Sequence, residues 1–219
     1  QRTADGGLEF GPGGVLFYTT YSDHHIGEIK PGSVSPDLLI ALADHGITSS
    51  TGTLRFVPPG FPGAGRLKIC SYNVGTWHDT SVVAQPDGTY ALGPVGPAIS
   101  IGGGPEGIVY IKSGNPQFPV DSVIVSEYFT GRIVTYEIDA NGDPIPATQR
   151  VVLTGLGGAE GATLDPITGD YLFSTYGGGN RVVAIRGFSA ASCLGDLDGS
   201  GGVDGADLAM LLGGWGTCP

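Results

Sequence analysis

Apolar and polar positions along this chain alternate in short runs, and one such run recurs four times. Phe17-Tyr18-Thr19-Thr20-Tyr21, Lys68-Ile69-Cys70-Ser71-Tyr72, Ile124-Val125-Ser126-Glu127-Tyr128 and Leu172-Phe173-Ser174-Thr175-Tyr176 are versions of one segment that ends in tyrosine. Alternation with a period of two lines one face with apolar side chains, so each segment predicts a β-strand. A short polar or Gly-rich turn follows each, and then a further apolar stretch, over 26–29, 80–84, 132–138 and 181–185. Ahead of each lies another short strand, often opened by glycine and closed by proline: Gly7 to Pro12, Thr53 to Pro58, Gly107 to Tyr110, and Gly161 to Pro166. A fourth apolar stretch completes the first three repeats, over 38–42, 98–101 and 151–153, and the last repeat has none before the tail begins.

The tyrosines Tyr21, Tyr72, Tyr128 and Tyr176 recur at intervals of about fifty residues. A four-stranded antiparallel meander of that length is a propeller blade. The predicted fold class is all-β: a β-propeller of about four blades over 1–188, followed by a small C-terminal calcium-loop and helix module over 189–219. The blades form a small closed ring, an incomplete ring, or a ring with a further degenerate blade. A last blade short of its outer strand leaves an edge that another chain can pair with.

Composition agrees with many short strands. Forty glycines and sixteen prolines stand against ten lysines and arginines in 219 residues, which favours turns over helices. No apolar run approaches the roughly 18 residues that span a bilayer. The formal net charge of −11 and the lack of any Lys/Arg cluster argue against a nucleic-acid partner. The chain opens at Gln1-Arg2-Thr3 without an initiator methionine, as a processed chain does. Three cysteines fit an oxidising, extracellular setting if Cys193 pairs with Cys218 around the tail and Cys70 stays in an apolar strand as inert core.

Part of the negative charge is concentrated at Asp196, Asp198, Asp204 and Asp207. Counted from Asp196, oxygen-bearing side chains stand at positions 1, 3, 5, 9 and 12: Asp196, Asp198, Ser200, Asp204 and Asp207. Gly201 at position 6 allows the sharp turn, Gly202 at position 7 offers a backbone carbonyl, and Val203 at position 8 packs inward. That is the spacing of a Ca²⁺ loop, whose mixed oxygen shell suits Ca²⁺ better than the tighter octahedron of Mg²⁺. A helix over 206–212 follows, with Leu208, Leu211 and Leu212 on one stripe, Gly213-Gly214 as its stop and Trp215 as a lid. Two turns of helix do not hold alone in water, so calcium and the Cys193–Cys218 bridge are expected to supply the stability.

In an antiparallel blade, the turn between the second and third strands opens on the same face as the entry to the first. That places Tyr21, Tyr72, Tyr128 and Tyr176 on one face of the propeller with Glu106 and Glu160, where the first two repeats carry Gly6 and Gly52. Two readings of the tyrosines stand: a structural ring in which each packs on the next blade, or a carbohydrate-stacking platform. Adjacent side chains on an extended turn point apart, so His24-His25 is expected to be solvated rather than a ligand pair. No Gly-x-Ser-x-Gly, His-Glu-x-x-His or phosphate-loop motif is present.

Blades that begin with a Gly-containing strand and turn at Pro-x-x-Gly resemble those of the NHL-repeat and regucalcin-like lactonase propellers, over about residues 5–188. In regucalcin-like lactonases a glutamate at such a blade entry binds the catalytic divalent metal, which the resemblance would assign to Glu106 and Glu160. The tail, Asp-x-Asp-Gly-Ser-Gly-x-Val-Asp-x-x-Asp-Leu followed by Leu-Leu and Trp-Gly and framed by cysteines, resembles one half of a dockerin, a family that carries two such loops and binds cohesins. The combination predicts an extracellular calcium-binding scaffold that assembles through its tail and open blade edge. Its partner would be a protein: another copy of itself in an oligomer or filament, or a cohesin-like module. The alternatives are a secreted metal-dependent propeller enzyme of lactonase or lyase type, and a carbohydrate-binding module.

Overall fold

The computed structural model describes residues 4–21, 23–114, 116–188, 195, 197 and 203–216. Blade one is β1 (Ala4–Phe10), β2 (Leu16–Thr20), β3 (His25–Ile29) and β4 (Leu38–Ala41). Blade two is β5 (Thr51–Phe56), β6 (Leu67–Ser71) and β7 (Thr76–Thr80), then an inserted hairpin of β8 (Val82–Ala84) and β9 (Tyr90–Leu92), and β10 (Ile99–Ser100) as outer strand. Blade three is β11 (Pro105–Ile111), β12 (Ser122–Glu127), β13 (Arg132–Glu137) and β14 (Arg150–Leu153). Blade four has, among the described residues, three strands, β15 (Ala159–Leu164), β16 (Tyr171–Thr175) and β17 (Val182–Ile185). Each blade is an antiparallel sheet in sequence order, and together they make a four-bladed β-propeller. Beyond the blades, the hairpin β8–β9 is the only other sheet among the described residues, so no fifth blade is hidden there.

The outer strands fall where the sequence places them, and two predicted elements need correction. The first strands of the blades begin two or three residues earlier than expected, at Ala4, Thr51, Pro105 and Ala159. Each starts with a β-bulge: pairing shifts register between Ala4 and Leu8, Thr51 and Thr53, Pro105 and Gly107, and Ala159 and Ala162. The third strand of blade two is Thr76–Thr80, and the stretch read as that strand, ending at Ala84, belongs largely to the inserted hairpin. Polar residues disguised the strand: His78, Asp79 and Thr80 are buried in it.

The burial of Asp79 is made tolerable by an ionic network between blades two and three. Lys68 is 0% exposed, and its Nζ donates to Asp79 Oδ1 at 2.6 Å, Asp143 Oδ1 at 2.6 Å and the Asn141 carbonyl at 2.8 Å. Trp77 Nε1 donates to the same Asp143 oxygen at 2.7 Å, and Arg66 pairs with Asp79 from the rim. Burial alone would raise the Asp79 carboxyl, but hydrogen bonds from Arg66 and Lys68 hold it below the usual range.

Three apolar cores lie between the four blades. Phe17 and Ile26 pack with Leu54, Leu67 and Ile69 between blades one and two. Cys70 and Trp77 pack with Ile108, Val125 and Tyr136 between blades two and three. Ile124 and Ile133 pack with Ala159 and Phe173 between blades three and four. Cys70 is buried, and that burial pushes its thiol well above the usual range, as expected of an inert core cysteine.

Among the described residues no fourth core joins blade four to blade one. A cavity of about 320 Å³ opens there instead, bordered by Gly6 and Leu8 of blade one and by Thr163, Leu172 and Val182 of blade four, with Leu54 of blade two and Ile108 of blade three also on its lining.

In the tail, α1 (Gly205–Gly213) forms as predicted, capped by Asp204. Its apolar residues face solvent: Leu208, Leu211, Leu212 and the following Trp215 are all more than half exposed. None of the described helices is long and apolar enough to cross a membrane.

Candidate functional site

The bulges at the blade entries set the geometry of the central face. In each blade the residue paired with the last residue of the second strand is Ala4, Thr51, Pro105 or Ala159. The residue after it sits in the bulge, which turns its side chain off the ladder: Asp5, Gly52, Glu106 and Glu160. The inner strands pass so close here that a Cβ on Gly6 would lie 1.5 Å from the Gly52 carbonyl oxygen, and one on Gly52 would lie 2.0 Å from that of Pro105. Only glycine allows that approach. The same missing Cβ at Gly6 leaves room for Glu106, whose Oε2 lies 3.1 Å from where it would be.

Each tyrosine stands one residue past a second strand, which the expected Tyr-ended strands overran by one. Backbone hydrogen bonds fix three of them: the amides of Tyr72, Tyr128 and Tyr176 donate to the carbonyls of Ser50, Gly104 and Gly158, at 2.7, 2.9 and 2.9 Å. The rings interlock edge to face, with centroids 5.8 Å apart for Tyr21 and Tyr72 and 5.6 Å for Tyr72 and Tyr128. Phe129 leans on Tyr72 at 4.5 Å.

All four tyrosines, Glu106, Glu160 and Asp5 line a single cavity of about 390 Å³. The four tyrosines, Glu106 and Glu160 are therefore brought together as expected, whereas His24, Trp77 and His78, placed near the same turns by sequence position, are not on its lining. Asp5 is the one that sequence reasoning missed, because Gly6 was aligned with Glu106 where the register aligns Asp5. The signal was present: Asp5-Gly6 repeats the acid-glycine order of Glu106-Gly107 and Glu160-Gly161.

Electrostatically the cavity is unbalanced. Glu106 is 7% exposed and, like Asp5 and Glu160, has no salt bridge and no donor to its carboxylate among the described residues. Burial, reinforced by Asp5 and Glu160, pushes Glu106 up to about 9. Burial and then Asp5 raise Glu160, and burial and then Glu106 push Tyr72 up to about 12. No three His, Cys, Asp or Glu side chains group closely enough to share one metal ion among the described residues.

His24 departs from the expected solvated turn. Its Nδ1 lies 3.0 Å from Thr51 Oγ1 and its Nε2 2.7 Å from the Ile47 carbonyl, so it clasps blade one to blade two. His25 turns back on the Asp23 carbonyl.

Of the expected calcium ligands, Asp204 and Asp207 are described, whereas Asp196, Asp198, Ser200 and Gly202 lie outside the described residues, as do Cys193 and Cys218. Asp207 is buried and folds back over the loop: its Oδ1 accepts from the Leu197 amide at 2.6 Å and its Oδ2 from the Asp204 amide at 2.7 Å. Asp204 Oδ1 accepts from the Ala206 amide at 2.7 Å, and the Asp204 side chain also accepts from the Asp207 amide, which closes a capping box.

No family model matches this chain, and no curated protein does. Solved structures do. A putative oxidoreductase (glucose dehydrogenase) from Thermus thermophilus is 16% identical with a TM-score of 0.52, covering 83% of this chain and 65% of its own. A putative 6-phosphogluconolactonase from Bacteroides uniformis is 14% identical with a TM-score of 0.49, covering 85% of this chain and 51% of its own. The Cps50 (Swd1) β-propeller domain of Myceliophteria thermophila is 12% identical with a TM-score of 0.47, covering 84% and 54%. What the first of these shares with this chain is the fold. The chain spans between about half and two thirds of the length of these structures.

Proposed function

We propose that this chain is an extracellular scaffold that works by association, through the two end faces of its blade series and through a calcium-organised tail. The observation that carries this is that no fourth core is found among the described residues. On blade one, Leu8, Tyr18, Gly27 and Leu39 are paired across the sheet, so they share the face turned away from blade two, and Leu8 and Phe10 are 67% and 71% exposed. On blade four, Val182 is 72% exposed on the face opposite Phe173, and among the described residues β17 pairs only with β16. Between all other neighbours such faces are buried on each other, which makes these two ends complementary in kind. A head-to-tail contact between them would be heterologous, closing a ring or growing a filament.

The tail supplies the second contact. Asp196, Asp198, Ser200, Gly202, Asp204 and Asp207 would hold Ca²⁺, a Cys193–Cys218 bridge would close the module, and the exposed leucines of α1 would meet a partner helix or a cohesin-like module. The dockerin-like spacing and the inward fold of Asp207 support this.

Sedimentation velocity at high concentration, with calcium and with a chelator, tests the proposal. Species larger than one chain are expected, reduced by Phe10→Asp for the blade contact and by chelation for the tail. A single chain under every condition overturns it.

The tyrosine face supports a second reading, a small-molecule site, because a cavity of about 390 Å³ with converging polar groups has the size of one. A lactonase or lyase type of enzyme, or carbohydrate stacking on the rings, would use it. Metal counting on Asp207→Ala tests the lactonase form, which needs a divalent ion besides that of the tail.

A further inference from the structure

The tyrosine-lined cavity at the blade entries has a chemical character that narrows its ligand. We propose that it is a binding site for a small organic ammonium cation, held by Asp5, Glu106 and Glu160 and walled by the rings of Tyr21, Tyr72, Tyr128 and Tyr176. This rests on the second reading above, that the face is a ligand site, and names the ligand class.

Charge is the first reason. Three acidic side chains enter one cavity that, among the described residues, has no lysine, arginine or histidine on its lining; Glu106, pushed up to about 9, keeps its proton in the empty cavity and yields it when a cation arrives. Cations of the neighbouring strands are engaged elsewhere: Lys68 with Asp79 and Asp143, Arg55 with Glu9, and Arg132 with Glu127. Glu106 is the second reason. It is more than nine-tenths buried, lines the cavity and has no hydrogen-bond partner among the described residues. A buried acid left without a donor is costly unless a positive group reaches it from the cavity.

The walls distinguish an organic cation from a metal ion. Aromatic faces carry negative quadrupole density and attract ammonium groups, best when several rings surround them. The edge-to-face contacts of Tyr72 with Tyr21 and Tyr128 hold neighbouring rings at 77° and 75°, which makes a corner rather than a flat platform. A bare divalent ion wants oxygen ligands drawn tightly around it. Here the acids are too dispersed to share one ion, and the volume of about 390 Å³ suits a molecule of several heavy atoms.

The full chain, titrated calorimetrically with choline and with its uncharged isostere 3,3-dimethylbutan-1-ol, tests this, and methylammonium probes a smaller headgroup. Saturable binding of choline or methylammonium is expected, with the isostere at least tenfold weaker. Glu106→Gln should weaken cation binding at least tenfold while leaving the far-ultraviolet circular dichroism unchanged, and Glu160→Gln should weaken it less, as a more exposed acid would. Absence of saturable binding by both cations overturns the proposal, as does equal binding of the neutral isostere or unchanged binding by Glu106→Gln. Calcium or magnesium that binds in a Glu106-dependent way without competition from choline would assign the face to a metal instead. Binding of a neutral glycan with no cation binding would keep the face as a ligand site and remove the cation.

Discussion

All seven residues of β11 and all six of β12 in blade three are buried, whereas in β1 of blade one only Gly7 is. Both blades come from the same repeat of about fifty residues and both make a four-stranded sheet. Blade three is sandwiched between neighbours, with cores on both faces, and blade one is covered on one face only. The repeat thus specifies a blade, and its place in the series specifies how much of that blade is core. Stability is expected to be concentrated in blades two and three and the capacity for association at the ends, as in other quasi-one-dimensional stacks.

The contrast is broken most severely at the junction of blades two and three. Lys68→Ala would leave Asp79 and Asp143 buried without their shared cation, and a loss of about 3–5 kcal/mol in urea unfolding is expected. A loss below about 1 kcal/mol would mean that the network is not the anchor of the centre.

Blade one is joined to the hairpin of blade two by a different device, Glu28. It is 0% exposed; its Oε2 accepts from the Tyr90 amide at 2.9 Å, and its Oε1 has no partner. Burial pushes its carboxyl up to about 7 from an ordinary 4.5, so the folded state holds this proton more tightly than the unfolded state does. The stability associated with it is fully present below about pH 4.5 and is lost as pH rises through about 7. The melting temperature is therefore expected to fall between pH 5 and 8, and Glu28→Gln should flatten that fall. A parallel fall in the variant would assign the effect to other acids, of which Glu106 is the first candidate.

The smallest effects are expected at the ends. Leu8→Ser and Val182→Ser remove exposed apolar groups and should change the stability of the single chain by no more than about 0.5 kcal/mol, measured at low concentration. The same changes should weaken the association of copies. A large loss of stability at low concentration would show that these faces are packed within one chain.

Much of this was legible in sequence. Period-two alternation and four tyrosines gave the blades and their order. The repeated tyrosines and the Glu-Gly entries named six of the seven residues that line the central cavity. Asp5 escaped because a bulge shifts the register, and bulges are set by backbone pairing that composition does not display. The third strand of blade two escaped because its buried polar residues find partners that composition does not display: Asp79 meets Lys68 and Arg66, His78 meets Thr76, and Thr80 donates to the Gly93 carbonyl. His24 escaped for the same reason, its contacts lying in the next blade.

By itself the sequence determined the unit: which residues alternate, where glycine and proline turn the chain, and which side chains recur at each blade entry. These are local properties, written within one repeat and enforced by sterics and by the burial of one sheet face. Only the tertiary structure decided which faces are covered, that three acids and four tyrosines share one cavity, and that among the described residues no core joins blade four to blade one. Those depend on the angle and distance between repeats, which follow from how whole sheets pack rather than from any residue's immediate neighbours.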